Sequence, residues 1–163
     1  MSDDAEVSVV YASTDDDVIG IHKFLVAVAG PTLPYPIDHR NSVTEIWRVV
    51  SHDVALMAMK GNQLVGTLGL IRPDFWYSDR GGFLANRWLF TLPNEGAGWP
   101  LLREARSIAV ASNLELHIIA EAKGKIVIFN KSPRRNGHPA LANSPNSSAA
   151  ALQYARCASS GVS

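Results

Sequence analysis

The stretch Asn94-Glu95-Gly96-Ala97-Gly98-Trp99-Pro100-Leu101-Leu102-Arg103-Glu104-Ala105 decides how this chain reads, because it sets two glycines between an apolar run and an amphipathic one. Upstream, residues 83–92 (Phe-Leu-Ala-Asn-Arg-Trp-Leu-Phe-Thr-Leu) have the composition of a strand, and Pro93-Asn94 punctuates their end. Downstream, Leu101, Leu102, Ala105, Ile108, Ala109 and Ser112 recur at helical spacing, with Arg103, Glu104 and Arg106 on the other face. A glycine turn at a helix start lets backbone N–H groups converge, and the free amides and the helix dipole favour negative charge there. That is the geometry of an anion cradle. A bare Gly-x-Gly also serves where a strand simply meets a helix, and a dinucleotide-binding turn would need a third glycine where Leu101 stands.

Working outward, Val7-Ser8-Val9-Val10-Tyr11 reads as a short strand, and Thr14 followed by Asp15, Asp16 and Asp17 as a helix start. That helix runs to about Ala29, burying Val18, Ile21, Phe24, Leu25 and Val28, and stops at Gly30-Pro31. Residues 31–40 hold three prolines and are read as irregular, before Ser42-Val43-Thr44-Glu45 forms a capping box for a second short helix through Trp47 and Val50. Residues 54–59 and 63–71 are apolar runs joined by Lys60-Gly61-Asn62, a hairpin signal. After the glycine turn and its helix, residues 114–120 alternate as a strand, and Ile126-Val127-Ile128-Phe129 begins another apolar segment.

Composition bounds the function. At 163 residues, with 47% hydrophobic and 18% charged residues, the chain can build one core of ordinary size. Fifteen basic and fifteen acidic residues leave no net field directed at nucleic acid or membrane. The opening Met-Ser-Asp-Asp-Ala-Glu carries no basic or apolar targeting pattern, and no apolar run is of spanning length, so a cytoplasmic location is the expectation. Cys157 is the only cysteine, which leaves no disulfide framework and no thiolate metal site.

The order Gly96-x-Gly98-x-x-Leu101-Leu102-x-x-Ala105, set after a fourth strand in the series strand, two helices, three antiparallel strands, glycine turn, helix, strand, resembles the GNAT superfamily of acyl-CoA-dependent N-acyltransferases. The resemblance spans roughly residues 5–120. It implies an α/β (α+β) fold with a mixed, mostly antiparallel central sheet flanked by helices. It further implies that strands four and five splay apart and that acetyl-CoA lies in the gap as acyl donor. The pantetheine arm would pair with the backbone of Leu89, Phe90, Thr91 and Leu92, and the pyrophosphate would sit on the amides of Gly96, Ala97, Gly98, Trp99 and Leu101. Pro100 offers no amide but is tolerated in a first helical turn.

Several positions depart from the family pattern. Pro93 replaces the usual Arg or Gln, and Glu95 stands where a basic or small residue is usual, so its carboxylate either repels the pyrophosphate or turns away. Residues 83–92 contain no Asp or Glu to act as the strand base, and Pro133 occupies the position of the family's frequent tyrosine acid, ahead of Gly137-His138. Glu95, His117 and Asp74 remain as acid/base candidates, none of them assigned, and His117 reads more readily as a satisfied histidine. The catalytic residues are therefore unknown and no metal is expected.

The C-terminal part reads as incomplete or atypical. A domain over residues 1–138 is followed by a Ser/Ala-rich tail over 139–163, too poor in β-branched and aromatic residues to supply the family's closing hairpin. An uncovered strand at 114–120 would then favour a homodimer. Lys123, Lys125, Lys131, Arg134 and Arg135 read as a solvated face or as a contact for the 3′-phosphate of CoA or an acidic partner, and Phe75, Trp76, Tyr77, Trp88 and Phe90 as core or as an acceptor pocket. The expectation is an N-acetyltransferase acting on a primary amine of a small molecule or peptide, the alternative a GNAT-fold binding or assembly module without turnover. Neither a nucleic acid nor a membrane is an expected partner.

Overall fold

Alternation and capping place the first elements. In the computed structural model, which describes residues 6–73, 82–122 and 125–131, β1 is Val7–Tyr11 and α1 is Asp15–Ala29. Thr14 Oγ1 accepts from the Asp17 amide at 3.1 Å while the Asp17 carboxylate accepts from the amides of Ser13 and Thr14 at 2.8 and 2.9 Å. Free donors of the first turn are thus satisfied reciprocally. Val18, Ile21 and Phe24 are buried, as their spacing predicts, and a short 3-10 turn at Gly30–Thr32 ends the helix.

Helix α2 spans His39–His52 and begins earlier than the Ser42 reading predicts. Asp38 caps it instead, accepting from the Asn41 amide at 3.0 Å and from Asn41 Nδ2 at 2.7 Å. An aspartate is at least as good a cap as a serine, and Ser42 is left to donate to the Asp38 carbonyl at 2.8 Å. Strands β2 (Val54–Lys60) and β3 (Gln63–Ile71) form the expected hairpin, with Gly61 supplying φ +60° at its turn. They are followed by β4 (Phe83–Thr91), α3 (Gly98–Ala111), β5 (Glu115–Ala122) and β6 (Lys125–Lys131).

The six strands of the described residues lie in sequence order in one sheet, antiparallel throughout except for the β4–β5 pair, which is parallel. Alternate residues face opposite sides. Leu56, Val65, Leu68, Leu70, Leu116 and Ile118 pack with Leu101, Ala105 and Ala109 of α3. On the other face, Ala55, Met57 and Trp88 pack with Ile21 of α1 and with Ile46 and Val49 of α2. Among the described residues no helix is long and apolar enough to cross a membrane.

One expectation is overturned. Strand β5 is not an open edge, because β6 pairs with it from Leu116↔Lys131 to Ala122↔Lys125. The apolar segment at Ile126-Val127-Ile128-Phe129 supplies the strand, so the hairpin partner comes directly after β5 rather than from the tail. The homodimer expectation rested on that open edge and loses its footing. The tail at 139–163, its boundary at 138, and Asp74, Phe75, Trp76, Tyr77, Arg134 and Arg135 lie outside the described residues.

Candidate functional site

A gap opens between the two parallel strands. β4 and β5 pair only at Phe83↔Glu115, Leu84↔Leu116 and Ala85↔His117. Next comes Asn86, whose side-chain Nδ2 donates to the Ile119 carbonyl at 2.8 Å and whose Oδ1 accepts from the Ile119 amide at 2.8 Å. The carboxamide takes up the two backbone groups that another strand residue would have bonded, and the ladder ends there. Immediately beyond, the β3–β4 register steps from Leu70↔Asn86 to Gly69↔Trp88, leaving Arg87 as an extra residue. Such a bulge bends its strand and increases the local twist, which carries the rest of β4 away from β5.

Bulge and gap are held from behind. A Cβ on Gly69 would lie 2.6 Å from the Trp88 ring, so the indole lies flat on a position only glycine can fill. Trp88 Nε1 donates to Thr67 Oγ1 at 3.2 Å, and Thr67 Oγ1 donates to the Leu56 carbonyl at 3.0 Å, all within the core. Along the splayed part, the Leu92 amide donates to the Val65 carbonyl at 2.8 Å. In an antiparallel ladder alternate residues bond the same neighbour. Phe90 and Leu92 therefore spend their backbone groups on β3, while Leu89 and Thr91 present theirs to the gap.

At the wide end the chain turns into α3. Asn94 and Gly96 take positive φ, +64° and +70°, which compacts the turn. Ala97 is buried, and a Cβ on Gly66 would lie 2.9 Å from its Cβ and 3.2 Å from Leu101 Cδ1, so Gly66 lets the helix start sit directly on β3. No side chain caps α3. Its first-turn bond runs from the Leu101 amide to the Ala97 carbonyl at 3.3 Å, which leaves the amides of Gly98 and Trp99 without a helical partner. Gly98 faces open space and Trp99 is 71% exposed. Convergent free amides at a helix start can receive an anion.

Glu95 turns away from these amides. Its carboxylate pairs with Lys60 Nζ at 3.0 Å, tying the glycine turn to the β2–β3 hairpin. Neutralisation by Lys60 yields a paired prediction for anion affinity, read by calorimetry with acetyl-CoA. Glu95→Gln changes the dissociation constant less than twofold, whereas Lys60→Met, which strands a carboxylate beside the cradle, weakens it about threefold through screened repulsion. Unchanged or tighter binding in Lys60→Met would show that the Glu95 carboxylate does not act on the ligand.

The other acid/base candidate described, His117, is not in the open gap. It lies at the paired end of the fork, with Nε2 3.1 Å from a Glu115 carboxylate oxygen and its ring stacked on Phe83 at 4.2 Å. Glu45 of α2, read from sequence as half of a capping box, instead accepts from Arg48 Nη2 at 2.9 Å, Arg48 Nε at 3.1 Å and Arg87 Nε at 2.8 Å. The Arg48 hydrogen bonds hold its carboxyl below the usual range, against the opposing effect of partial burial and with help from the Arg87 charge. Asn86, Arg87 and Glu45 were not singled out from the sequence. The signal available was the polar pair Asn86-Arg87 interrupting an otherwise apolar strand. Among the described residues no group of three or more His, Cys, Asp or Glu side chains could hold a metal.

The wall formed by α1 and α2 carries a histidine pair, His22 Nε2 lying 3.1 Å from His39 Nδ1, with His22 Nδ1 buried and without a hydrogen-bond partner among the described residues. Burial first, and then the His39 charge, push the His22 pKa down. The unfolded chain therefore binds a proton at a pH where the folded one does not. Stability should be fully present above about pH 6.5, the ordinary histidine value, and decline as pH falls below it toward the depressed folded value. Thermal midpoints measured from pH 7.5 to 5 should show that decline, and His22→Gln should flatten it; an unchanged slope in the variant would assign the decline to other groups.

No protein-family model and no curated protein matches the chain in sequence. Solved structures do match in fold. A GNAT-family acetyltransferase from Brucella melitensis in complex with acetyl-CoA aligns with a TM-score of 0.58 at 14% identity, over 73% of this chain and 79% of that one. A GNAT-family acetyltransferase from Staphylococcus aureus subsp. aureus USA300_TCH1516 aligns at 0.55 and 15%, over 81% and 98%. An aminoglycoside acetyltransferase from an uncultured soil metagenomic sample aligns at 0.52 and 15%, over 74% and 82%. The chain has the GNAT fold.

Proposed function

We propose that this protein is an N-acetyltransferase that moves an acetyl group from acetyl-CoA to a primary amine. The observation that carries this reading is the gap: β4 and β5 part at Asn86, and the open side of β4 leads to an uncapped glycine turn. The pantetheine amides would bond the backbone of Leu89 and Thr91, lying across Phe90 and Leu92, whose own amides and carbonyls serve β3. The pyrophosphate would rest on the amides of Gly96, Ala97, Gly98 and Trp99, with Glu95 withdrawn to Lys60; the Leu101 amide, expected from the sequence to join them, is instead spent on the Ala97 carbonyl. The Brucella melitensis structure was solved with acetyl-CoA, which supports this donor for the shared fold.

In the transfer, the amine nitrogen attacks the thioester carbonyl carbon. A C–N bond forms, the C–S bond breaks, the acceptor's ammonium proton passes to water or a base, and the leaving thiolate takes up a proton. On this reading the fork would set where this happens, because the Asn86–Ile119 bridge would keep anything laid in the gap from running further between the strands. Such positioning contributes to rate even without a strong base. A second reading, a module that binds CoA without turnover, draws support from Glu45, whose carboxylate is held by two guanidinium groups and so makes a poor base.

Calorimetry with acetyl-CoA, followed by a thiol-release assay over a panel of amines, separates the two. Binding with thiol release supports the enzyme, binding without it supports the module, and no binding overturns both.

A further inference from the structure

Resting on the transferase reading for the existence of an acceptor, we propose that Arg87 anchors that acceptor, and that the acceptor is an amine bearing a nearby anionic group, a carboxylate or a phosphate. The placement comes from the bulge. Arg87 is the extra residue of β4, one position beyond Asn86 at the vertex of the fork, and it extends to Glu45 of α2, on the face of the sheet opposite α3. The glycine turn lies elsewhere. From Arg87 to Thr91 the strand advances about 13 Å at the usual rise per residue, so an anion on Arg87 is separate from one held by the turn.

The guanidinium is oriented but not used up. Arg48 already grips Glu45 with two donors, Nε and Nη2, and its Nη1 reaches Asp53 at 3.3 Å. Asp53 in turn accepts from the Arg72 backbone amide at 3.3 Å, which fixes this chain of charges to the end of β3. Arg87 gives Glu45 only its Nε, at 2.8 Å. Its Nη1 and Nη2 have no hydrogen-bond partner among the described residues, and the side chain is 42% exposed. A guanidinium whose only task was to pair with Glu45 would present two donors to it, as Arg48 does. Instead the paired Nη edge, the geometry that matches a carboxylate or phosphate with two parallel hydrogen bonds, is left facing outward.

Charge balance suits an acceptor that carries both signs. Arg48 and Arg87 are offset by Glu45 and Asp53, so the local sum is zero and an incoming ammonium group is not expelled. The open guanidinium edge then selects for an anion on the same molecule. An amine without an anionic group has nothing to offer it, and an amine with several further cations meets Arg87 as a like charge.

The test is a side-chain NMR titration of 15N-arginine-labelled protein, free and loaded with CoA, with the Arg87 Nε–H signal assigned by its loss in Arg87→Gln. Matched probes separate the two anion sources: alanine against alaninamide for carboxylate, and phosphoethanolamine against ethanolamine for phosphate. We expect at least one probe bearing the anionic group to shift the Arg87 signal, to bind at least tenfold more tightly than its matched partner lacking that group, and to lose at least tenfold in affinity in Arg87→Gln. Arg87→Lys, which keeps the charge and loses the two-pronged edge, should fall between, and circular dichroism reports whether either variant is folded. Equal affinity for probes with and without the anionic group, no response to either anion, or full affinity in a folded Arg87→Gln would overturn the proposal. Failure of the donor reading appears separately, as absence of acetyl-CoA binding in calorimetry, and leaves the anion titration of the free protein unaffected.

Discussion

Gly98→Glu abolishes acetyl-CoA binding, with a loss of at least a hundredfold in affinity, while the thermal midpoint stays within a few degrees of the parent. Both halves follow from the same observation. Among the described residues a Cβ at Gly98 meets nothing within 4 Å, so a side chain there is accommodated without displacing the core. The space it enters is the one in front of the free amides at the start of α3, where the carboxylate brings both bulk and like charge to the place proposed for the pyrophosphate. Calorimetry and a melting curve on the same preparation read the two effects together. Retained binding in a folded variant would move the anion site off this turn.

Asn86→Asp is expected to cost about 2–4 kcal/mol of stability, because the bond from the Ile119 amide survives but the bond to the Ile119 carbonyl is lost and a carboxylate oxygen faces that carbonyl in place of a donor. For a domain of this size that lowers the thermal midpoint by roughly 5–15 °C. Asn86→Gln retains the carboxamide but reaches one methylene too far into the fork, and should fall between the parent and the aspartate. A midpoint within 2 °C of the parent for Asn86→Asp, on the same scale, would show that the fork is held by something other than this carboxamide.

The parts of the fold legible in the sequence are those that local chemistry determines. Thr14 with three aspartates, Gly61 in a short turn, and the shift from strand-like to helical spacing across Gly96 and Gly98 each act over a few residues, and each is found where it is expected. What was misread depends on competition or distance. Asp38 displaces Ser42 as the cap of α2 because both are adequate and the earlier one adds bonds to Asn41. Strand β6 shows in the sequence only as a short apolar run, which cannot declare its partner, and its register on β5 is a matter of tertiary pairing. The fork itself joins Asn86 to Ile119, 33 residues apart, and Glu45 meets Arg87 across 42. No periodicity reports such pairs, so the cradle was legible while the vertex of the site was not.

The most direct measurement is amide hydrogen exchange across residues 83–102 with and without saturating acetyl-CoA. Binding in the gap should slow exchange at Leu89 and Thr91, whose backbone groups face it, and at Gly96, Ala97, Gly98 and Trp99, whose amides line the turn. Phe90 and Leu92 are already protected by β3 and should change little. Unchanged exchange at Leu89, Thr91 and the turn, at a ligand concentration where calorimetry shows binding, would contradict the assignment of the gap as the acetyl-CoA site.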